Sequence, residues 1–237
     1  MKEYQRSYLD FCLTAGVLQF GTFTLKSGRQ SPYFFNAGLF NTGKLLHAVG
    51  EYYASAILDH QPTFSPTLLF GPAYKGIPLV SAAAVSLSMR GVDLPYAFNR
   101  KEAKDHGEGG SLVGHTDLRG QRVVIVDDVI TAGTAIREVF PMLRAAGAVV
   151  AGVLVAVDRM EVGPTSTDGL SAMMEVERDM GVPVRAIVTM DDIMRYMEEK
   201  GGFADALLGM REYRGKYGVK ASAIAAVSAA TPTPADR

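Results

Sequence analysis

The stretch VVIVDDVITAGTA at positions 123–135 constrains the fold more than any other part of the chain. Its first four residues are apolar and β-branched, a composition typical of a strand buried on both faces of a parallel sheet. Two aspartates follow at the predicted end of that strand, then a turn of small residues. From position 136 apolar side chains recur at helical spacing. The order strand, loop, helix predicts an α/β fold in which N–H groups of a helix N-terminus face the loop.

The loop in this stretch has the properties of a phosphate site. Helix N-terminal N–H groups attract anions, and the hydroxyls of Thr131 and Thr134 can donate further hydrogen bonds. Gly133 lets a bulky anion approach the backbone closely. Asp127 and Asp128 would repel a bare phosphate, but carboxylates accept hydrogen bonds from a ribose diol and can lie near a Mg²⁺ that neutralises a diphosphate. The stretch therefore indicates a phosphorylated sugar as the ligand.

The apolar strand, the paired aspartates and the sequence TAGT together resemble the phosphoribosyl diphosphate signature of type I phosphoribosyltransferases. A Walker B strand of a nucleoside triphosphatase would look similar, but the chain has no GxxxxGK[ST] loop to accompany it. A purely structural strand and turn is the other alternative. The resemblance implies an α/β fold with a central, mostly parallel sheet flanked by helices, and a small N-terminal hood. It assigns phosphoribosyl diphosphate to Asp127, Asp128, Val129, Ile130, Thr131, Ala132, Gly133, Thr134 and Ala135.

The first forty residues predict the hood. A helix is expected at residues 4–18, a half-buried strand at 22–25 and a returning strand at 33–35. The words TLKSGR, SPYFFN and AGLFNTG resemble the N-terminal region of orotate phosphoribosyltransferases. By that resemblance Lys26, otherwise interpreted as a solvated lysine, contacts phosphoribosyl diphosphate, and Phe34 and Phe35 flank the orotate ring. Adjacent strand residues cannot both face inward, so one of these two rings is free to meet a planar ligand.

A second strand–loop–helix unit precedes the signature. A helix is predicted at residues 42–59, a buried strand at 67–70, the loop GPAYKG at 71–76, and an alanine-rich helix at 77–89. The resemblance assigns this loop to the diphosphate, through its backbone N–H groups and the pair Tyr74 and Lys75. Type I members often hold a non-proline cis peptide here, so we expect one between Ala73 and Tyr74.

A strand at residues 94–98 is followed by RKEAKDHGEGG at 100–110, which predicts a mobile polar loop. From these residues alone, a solvated surface loop without a function is as well supported as a functional loop. The resemblance implies instead a catalytic lid that closes over the reacting site. Lys104 and His106 would then contact the diphosphate, with Lys104 stabilising transition-state charge. Arg100 and Lys101 would assist, one of them from the neighbouring subunit of a homodimer with shared sites.

The remaining chain completes the sheet. Pro141 should kink the signature helix. A buried strand at residues 148–157 ends at Asp158 and Arg159. The resemblance implies that Arg159 and Thr131 bind orotate. Without it, Arg159 would be interpreted as an ion-pairing residue. A helix to about residue 180, a strand at 184–189 and helices at 191–200 and 204–217 follow.

We expect three regions: an N-terminal helix and hood at residues 1–40, a core at 41–218, and a flexible tail at 219–237. The formal net charge is −1, so the composition does not indicate a general surface for nucleic acid or membrane. No apolar run is long enough to span a bilayer, and no signal-peptide core follows residues 1–6. The single cysteine, Cys12, excludes an intrachain disulfide. The expected location is the cytoplasm.

The resemblance implies an enzyme of de novo pyrimidine biosynthesis that joins orotate to phosphoribosyl diphosphate and releases orotidine 5'-monophosphate and diphosphate. Its implied cofactor is Mg²⁺, held mainly by the diphosphate and ribose hydroxyls, and its implied catalytic residues are Lys104, His106, Asp127 and Asp128. The alternatives are a purine phosphoribosyltransferase, a non-catalytic regulator that senses phosphoribosyl diphosphate, and a plain sugar-phosphate binding protein. A regulator would be expected to carry a nucleic-acid-binding module or a basic face, and a plain binding protein would not need the lysine-rich lid.

Overall fold

The computed structural model describes residues 1–25, 27–104, 110–163 and 166–224, the side chains at 103, 104 and 110 excepted. Helices and strands alternate along most of this length. Their bounds are α1 (Glu3–Thr14), β1 (Leu18–Thr24), β2 (Gln30–Phe35), α2 (Gly43–Asp59), α3 (Gln61–Phe64), β3 (Leu68–Gly71), α4 (Gly76–Met89), β4 (Tyr96–Lys104), β5 (Gly110–Gly114), β6 (Arg122–Asp127), α5 (Thr134–Ala145), β7 (Val149–Asp158), α6 (Ala172–Met180), β8 (Val184–Thr189), α7 (Met190–Lys200) and α8 (Ala204–Tyr217).

The main sheet has six strands in the order β5-β4-β3-β6-β7-β8. All neighbours in it are parallel except β4 and β5, which pair antiparallel at one edge. Strands β1 and β2 form a separate antiparallel pair, the hood. The predicted mostly parallel α/β fold is therefore confirmed. Because β3 and β6 are parallel neighbours, the loops that follow them lie side by side at the carboxyl ends of the strands.

The β-branched run of β6 is explained by burial on both faces. Val124 and Val126 belong to a core shared with α1, α2, α4, α7 and α8 on one side of the sheet. Val123 and Ile125 belong to a second core, shared with α5 and α6, on the other side. All four side chains are fully buried. The strand that carries the paired aspartates is therefore held rigidly between two helical layers.

Two predicted elements differ from the structure. The prediction that the first helix extends to residue 18 is wrong, because α1 ends at Thr14 and Gly16 adopts a φ of +68°, which turns the chain into β1. The prediction of a loop from residue 100 is also wrong over residues 100–104, which continue β4; the pairing with β5 shifts register after Asn99 and resumes between Lys104 and Gly110. Charged side chains are typical of strands at a sheet edge, and they concealed this extension in the sequence. By contrast, β8 and α8 have the predicted bounds.

The end of the described chain is partly anchored. Val219, the first residue of the predicted tail, is buried, and its N–H donates to the carbonyl oxygen of Met160 at 2.9 Å. Residues 221–224 form a helical turn. Within the ranges given above, no helix is both long enough and apolar enough to cross a membrane.

Candidate active site

The paired aspartates lie at the carboxyl end of β6 and are almost fully buried. Asp127 is 8% exposed and Asp128 is 5% exposed. One oxygen of each carboxylate accepts a backbone bond at 2.9 Å: Asp127 from the N–H of Asp128, and Asp128 from the N–H of Val129. The hydroxyl of Tyr53, buried on α2, donates to the backbone oxygen of Asp127 at 2.7 Å. These contacts fix the direction of both carboxylates before any ligand binds.

The two carboxylates differ in their electrostatic surroundings. Lys75, from the loop after β3, places Nζ 2.5 Å from Oδ2 of Asp128 and compensates its charge. Burial, and then the negative charge of Asp128, raises the pKa of Asp127 to about 7, although Lys75 opposes this shift. Asp127 therefore keeps its proton to a higher pH than an ordinary aspartate does, while Asp128 carries a lysine partner. Such paired acids with different environments are common at functional sites.

The loop from Val129 to Ala135 is built for an anion. The side chains of Thr131, Ala132 and Thr134 are exposed. The first N–H groups of a helix have no intrahelical partner, and in the described chain no side chain caps α5, so these groups can bind a ligand. Gly133 adopts a φ of +71°, and a Cβ there would lie 2.8 Å from Cγ2 of Val176. Only glycine fits this turn, which exposes the helix N-terminus and its two threonine hydroxyls to a phosphate.

The loop after β3 lies beside this anion site. The peptide bond between Ala73 and Tyr74 is cis, as predicted. The side chains of Tyr74 and Lys75 are mostly exposed, and the loop is held by the ion pair of Lys75 with Asp128 and by a contact of its backbone. Oδ1 of Asn99, on β4, accepts a hydrogen bond from the N–H of Ala73 at 2.8 Å. Asn99 is not among the predicted site residues, although it is a polar residue directly after the apolar part of a parallel strand.

The predicted lid is described only in part. Lys101, on β4, forms an exposed ion pair with Glu138 of α5 at 3.0 Å, beside the signature helix. Arg100 is half-buried on the same strand. The backbone of Lys104 pairs with Gly110, but its side chain lies outside the described atoms. Lys26 and His106 lie outside the described residues.

The two hood phenylalanines lie on opposite faces of β2, as the strand alternation requires. Phe35 is 9% exposed, packs in the core and contacts the ring of Phe40 edge-on with centroids 6.4 Å apart. Phe34 is 38% exposed and stacks on Phe23 at 5.5 Å. Of the pair, Phe34 offers its ring to solvent.

Comparisons with known proteins agree with this geometry. The phosphoribosyl transferase domain family matches residues 39–180. A curated orotate phosphoribosyltransferase of Salmonella newport is 56% identical over 220 residues, covering 92% of this chain and 100% of that protein. The chain belongs to the orotate phosphoribosyltransferase family. A crystal structure of orotate phosphoribosyltransferase from Francisella tularensis aligns with a TM-score of 0.80 and 42% identity, covering 90% of this chain and 99% of that one. The enzyme from Aeropyrum pernix aligns with a TM-score of 0.60 and 27% identity, covering 81% and 99%.

Arg159 lies where the phosphoribosyltransferase core meets the hood. It follows β7 directly, and its side chain is largely buried. Its guanidinium contacts Glu161 and the hydroxyl of Ser31, which belongs to β2. The structure therefore brings Arg159 to the hood, the region that the family resemblance assigned to orotate.

The carboxylates fit a magnesium ion that is shared with substrate rather than caged by protein. Among the residues described, no group of three or more His, Cys, Asp or Glu side chains is arranged to hold a metal. Mg²⁺ usually keeps several waters and binds one or two carboxylates together with substrate phosphates. Oδ1 of Asp128 accepts from the N–H of Val129 and Oδ2 pairs with Lys75, so a Mg²⁺ at this site would be held mainly by the substrate, with the two carboxylates beside it.

Proposed function

We propose that this chain is an orotate phosphoribosyltransferase of de novo pyrimidine biosynthesis. It transfers the phosphoribosyl group of 5-phospho-α-D-ribose 1-diphosphate to orotate, giving orotidine 5'-monophosphate and diphosphate. One observation carries the proposal: two buried aspartates, Asp127 and Asp128, are joined by the loop of residues 129–133 to an uncapped helix N-terminus. The 56% identical relative supports the same reaction.

The phosphoribosyl group is bound by the signature loop. The 5'-phosphate accepts hydrogen bonds from the N–H groups and hydroxyls of residues 131–135. The ribose diol donates to Asp127 and Asp128, whose orientation is set by their backbone bonds. Fixing both ends of the sugar holds its first carbon facing the orotate nitrogen, which raises the effective concentration of the two reactants. The nucleophile is the substrate nitrogen, so the protein needs none of its own.

The cations of the site stabilise the departing diphosphate. Lys75 and Tyr74 bind it from the loop after β3, and Lys104 and His106 from the lid. Mg²⁺, when bound, supplies further neutralisation of the leaving group. Lys75 is preset for this step, because Asp128 already holds its ammonium at the edge of the site. The remaining diphosphate contacts that we propose come from Lys26, Arg100 and Lys101.

Orotate is bound between the hood and the end of β7. Arg159 binds the anionic part of the ring, and Thr131 and the hood residues Phe34 and Phe35 complete the pocket. The exposed ring of Phe34 is the one open to stacking, whereas Phe35 supports the pocket from the core.

A homodimer is part of this proposal. Val85 and Met89, one turn apart on α4, are exposed apolar side chains, and so is Tyr74 in the loop before that helix. Exposed apolar side chains on one helix favour contact with a second copy, and this helix follows the proposed diphosphate loop directly. Sedimentation velocity of the purified protein should give twice the monomer mass. The cytoplasmic location and the region boundaries at residues 40 and 218 stay predictions.

The decisive experiment is the loss of orotate absorbance when phosphoribosyl diphosphate and Mg²⁺ are added to the purified protein. We expect orotate to be consumed only when the protein, phosphoribosyl diphosphate and Mg²⁺ are all present, and we expect purine bases to give no product. A non-catalytic sensor would bind phosphoribosyl diphosphate without consuming orotate. A purine phosphoribosyltransferase would use the control bases instead.

A further inference from the structure

A buried polar clamp surrounds Arg159. We define it as Glu161, Ser31 and Tyr33. Nε and Nη2 of Arg159 lie 2.8 Å and 2.6 Å from Oε1 of Glu161, and Nη2 donates to Oγ of Ser31 at 3.1 Å. The guanidinium carbon lies 4.5 Å from the centre of the Tyr33 ring. Glu161 therefore holds one edge of the guanidinium, Ser31 holds one of its nitrogens, and the ring of Tyr33 covers one of its faces.

The burial of the clamp makes these contacts strong and specific. Ser31 is 1% exposed, Tyr33 is fully buried, and the side chains of Arg159 and Glu161 are each mostly buried. The hydroxyl of Ser31 donates to the backbone oxygen of Tyr33 at 2.7 Å, so its lone pairs are directed at the arginine. Charge-assisted hydrogen bonds at such depth allow the guanidinium few alternative positions.

The carboxylate of Glu161 lies near a second guanidinium group, that of Arg29. Glu161 also lies 4.0 Å from Nη1 of Arg29, which donates to the backbone oxygen of Val162 and stacks on the ring of Tyr217. One carboxylate thus faces two arginines. Because the bonds of Arg159 to the clamp use Nε and Nη2, its Nη1 donors are the ones that a ligand carboxylate can take.

The backbone at this point is also fixed. Met160, which lies between Arg159 and Glu161 in sequence, adopts a φ of +51°, which is unusual for a residue with a side chain. Its N–H donates to Oδ1 of Asp158 at 2.8 Å. Such conformations persist where the surrounding structure enforces them, commonly at ligand sites.

We propose that Glu161, together with Ser31, is a positioning residue that holds Arg159 in the orientation that captures the carboxylate of orotate. The clamp selects a pyrimidine that carries a carboxylate over a neutral pyrimidine, and it acts only through Arg159. This inference rests on the proposed function, because it assigns a role in binding the same substrate.

The first test separates the two substrates. Glu161→Gln keeps an oxygen acceptor of similar size but removes the charge that orients Arg159. We expect its KM for orotate to rise about 5- to 20-fold, in line with the loss of a buried charge-assisted hydrogen bond, while its KM for phosphoribosyl diphosphate stays within about 2-fold. Ser31→Ala should raise the KM for orotate by a smaller factor. Glu198→Gln, which breaks an exposed ion pair with Arg211, is the matched control and should change neither KM.

The second test asks whether Glu161 acts through Arg159. In an Arg159→Ala background, Glu161→Gln should produce no further rise in the KM for orotate, since the group that it positions is gone. Equal effects on both substrates in the first test, or an undiminished effect in this background, would overturn the proposal. If Glu161→Gln does not fold, Ser31→Ala carries both tests. A wild-type protein that consumes no orotate would refute the proposed function itself, whereas an active wild type without the KM split refutes only the clamp.

Discussion

Replacing Gly133 with alanine should damage the phosphate loop through two separable effects. The φ of +71° at this position disfavours any residue with a Cβ, by about 1–2 kcal/mol. The new Cβ would also lie 2.8 Å from Cγ2 of Val176, a fully buried side chain on α6 that has little room to withdraw. Overpacking of this kind costs about 1–3 kcal/mol. We therefore expect Gly133→Ala to lower the free energy of unfolding by about 2–5 kcal/mol.

The chain offers a matched control at Gly120. Its φ is +70°, but no atom lies within 4 Å of the position that a Cβ would take. Gly120→Ala should therefore show the conformational effect alone, and the difference between the two variants measures the collision with Val176. Urea denaturation at one fixed protein concentration gives both values. The KM for phosphoribosyl diphosphate should rise in Gly133→Ala only, because Gly120 lies outside the anion site.

A double variant tests the cause of the difference. Val176→Ala removes the methyl group that the new Cβ would meet, so Gly133→Ala should destabilise the Val176→Ala protein less than it destabilises the wild type. Equal losses of stability in Gly120→Ala and Gly133→Ala would refute the steric reasoning. So would strict additivity of the two changes at 133 and 176.

Three further predictions concern charge and the loop after β3, and one concerns the lid. Between about pH 4 and pH 7 the unfolded chain has released the proton of Asp127, while the folded chain still holds it. Asp127 therefore makes the free energy of unfolding fall as the pH rises through this range. In Asp127→Asn this decline should be absent. Lys75→Gln should raise the KM for phosphoribosyl diphosphate and lower the free energy of unfolding by about 1–3 kcal/mol, because it leaves the buried carboxylate of Asp128 without its lysine partner. Asn99→Ala frees the N–H of Ala73 and should raise the same KM about 3- to 10-fold, with the KM for orotate unchanged. Lys104→Ala should mainly lower kcat.

Each of these predictions has an outcome that contradicts it. Parallel stability curves for wild type and Asp127→Asn across that pH range would mean that Asp127 titrates normally. Unaltered saturation by phosphoribosyl diphosphate in Lys75→Gln or Asn99→Ala would remove the loop after β3 from the diphosphate site. Wild-type turnover in Lys104→Ala would remove that lysine from the mechanism.

The elements that the sequence predicts well are those whose own residues determine them. The run at β6 needs burial on both faces, and the turn at Gly133 needs a positive φ, so both follow from local composition. The end of α1 was missed because Gly16 lies within an apolar pattern that continues into β1. The extension of β4 was missed because its pairing partner, β5, is a separate segment of the chain.

The contacts that orient the site could not be predicted, because they join residues that are distant in sequence. Tyr53 reaches the backbone of Asp127 from α2, and Lys75 reaches Asp128 from a different loop. Glu161 is close to Arg159 in sequence, but the orientation of the Arg159 guanidinium also depends on Ser31, which lies in the hood. The residue types predict a sugar-phosphate site, but the orientation of its side chains depends on how the sheet and the hood pack.

Calorimetric titration of the wild-type protein with phosphoribosyl diphosphate in the presence of Mg²⁺ tests the central claim most directly. The claim is that Asp127, Asp128 and the N-terminus of α5 together bind the activated sugar. We expect saturable binding, weaker binding of ribose 5-phosphate, which lacks the diphosphate, and loss of binding when both aspartates are changed to alanine in a protein that remains folded. Absence of heat in the wild type, or undiminished affinity in the double variant, would contradict the account.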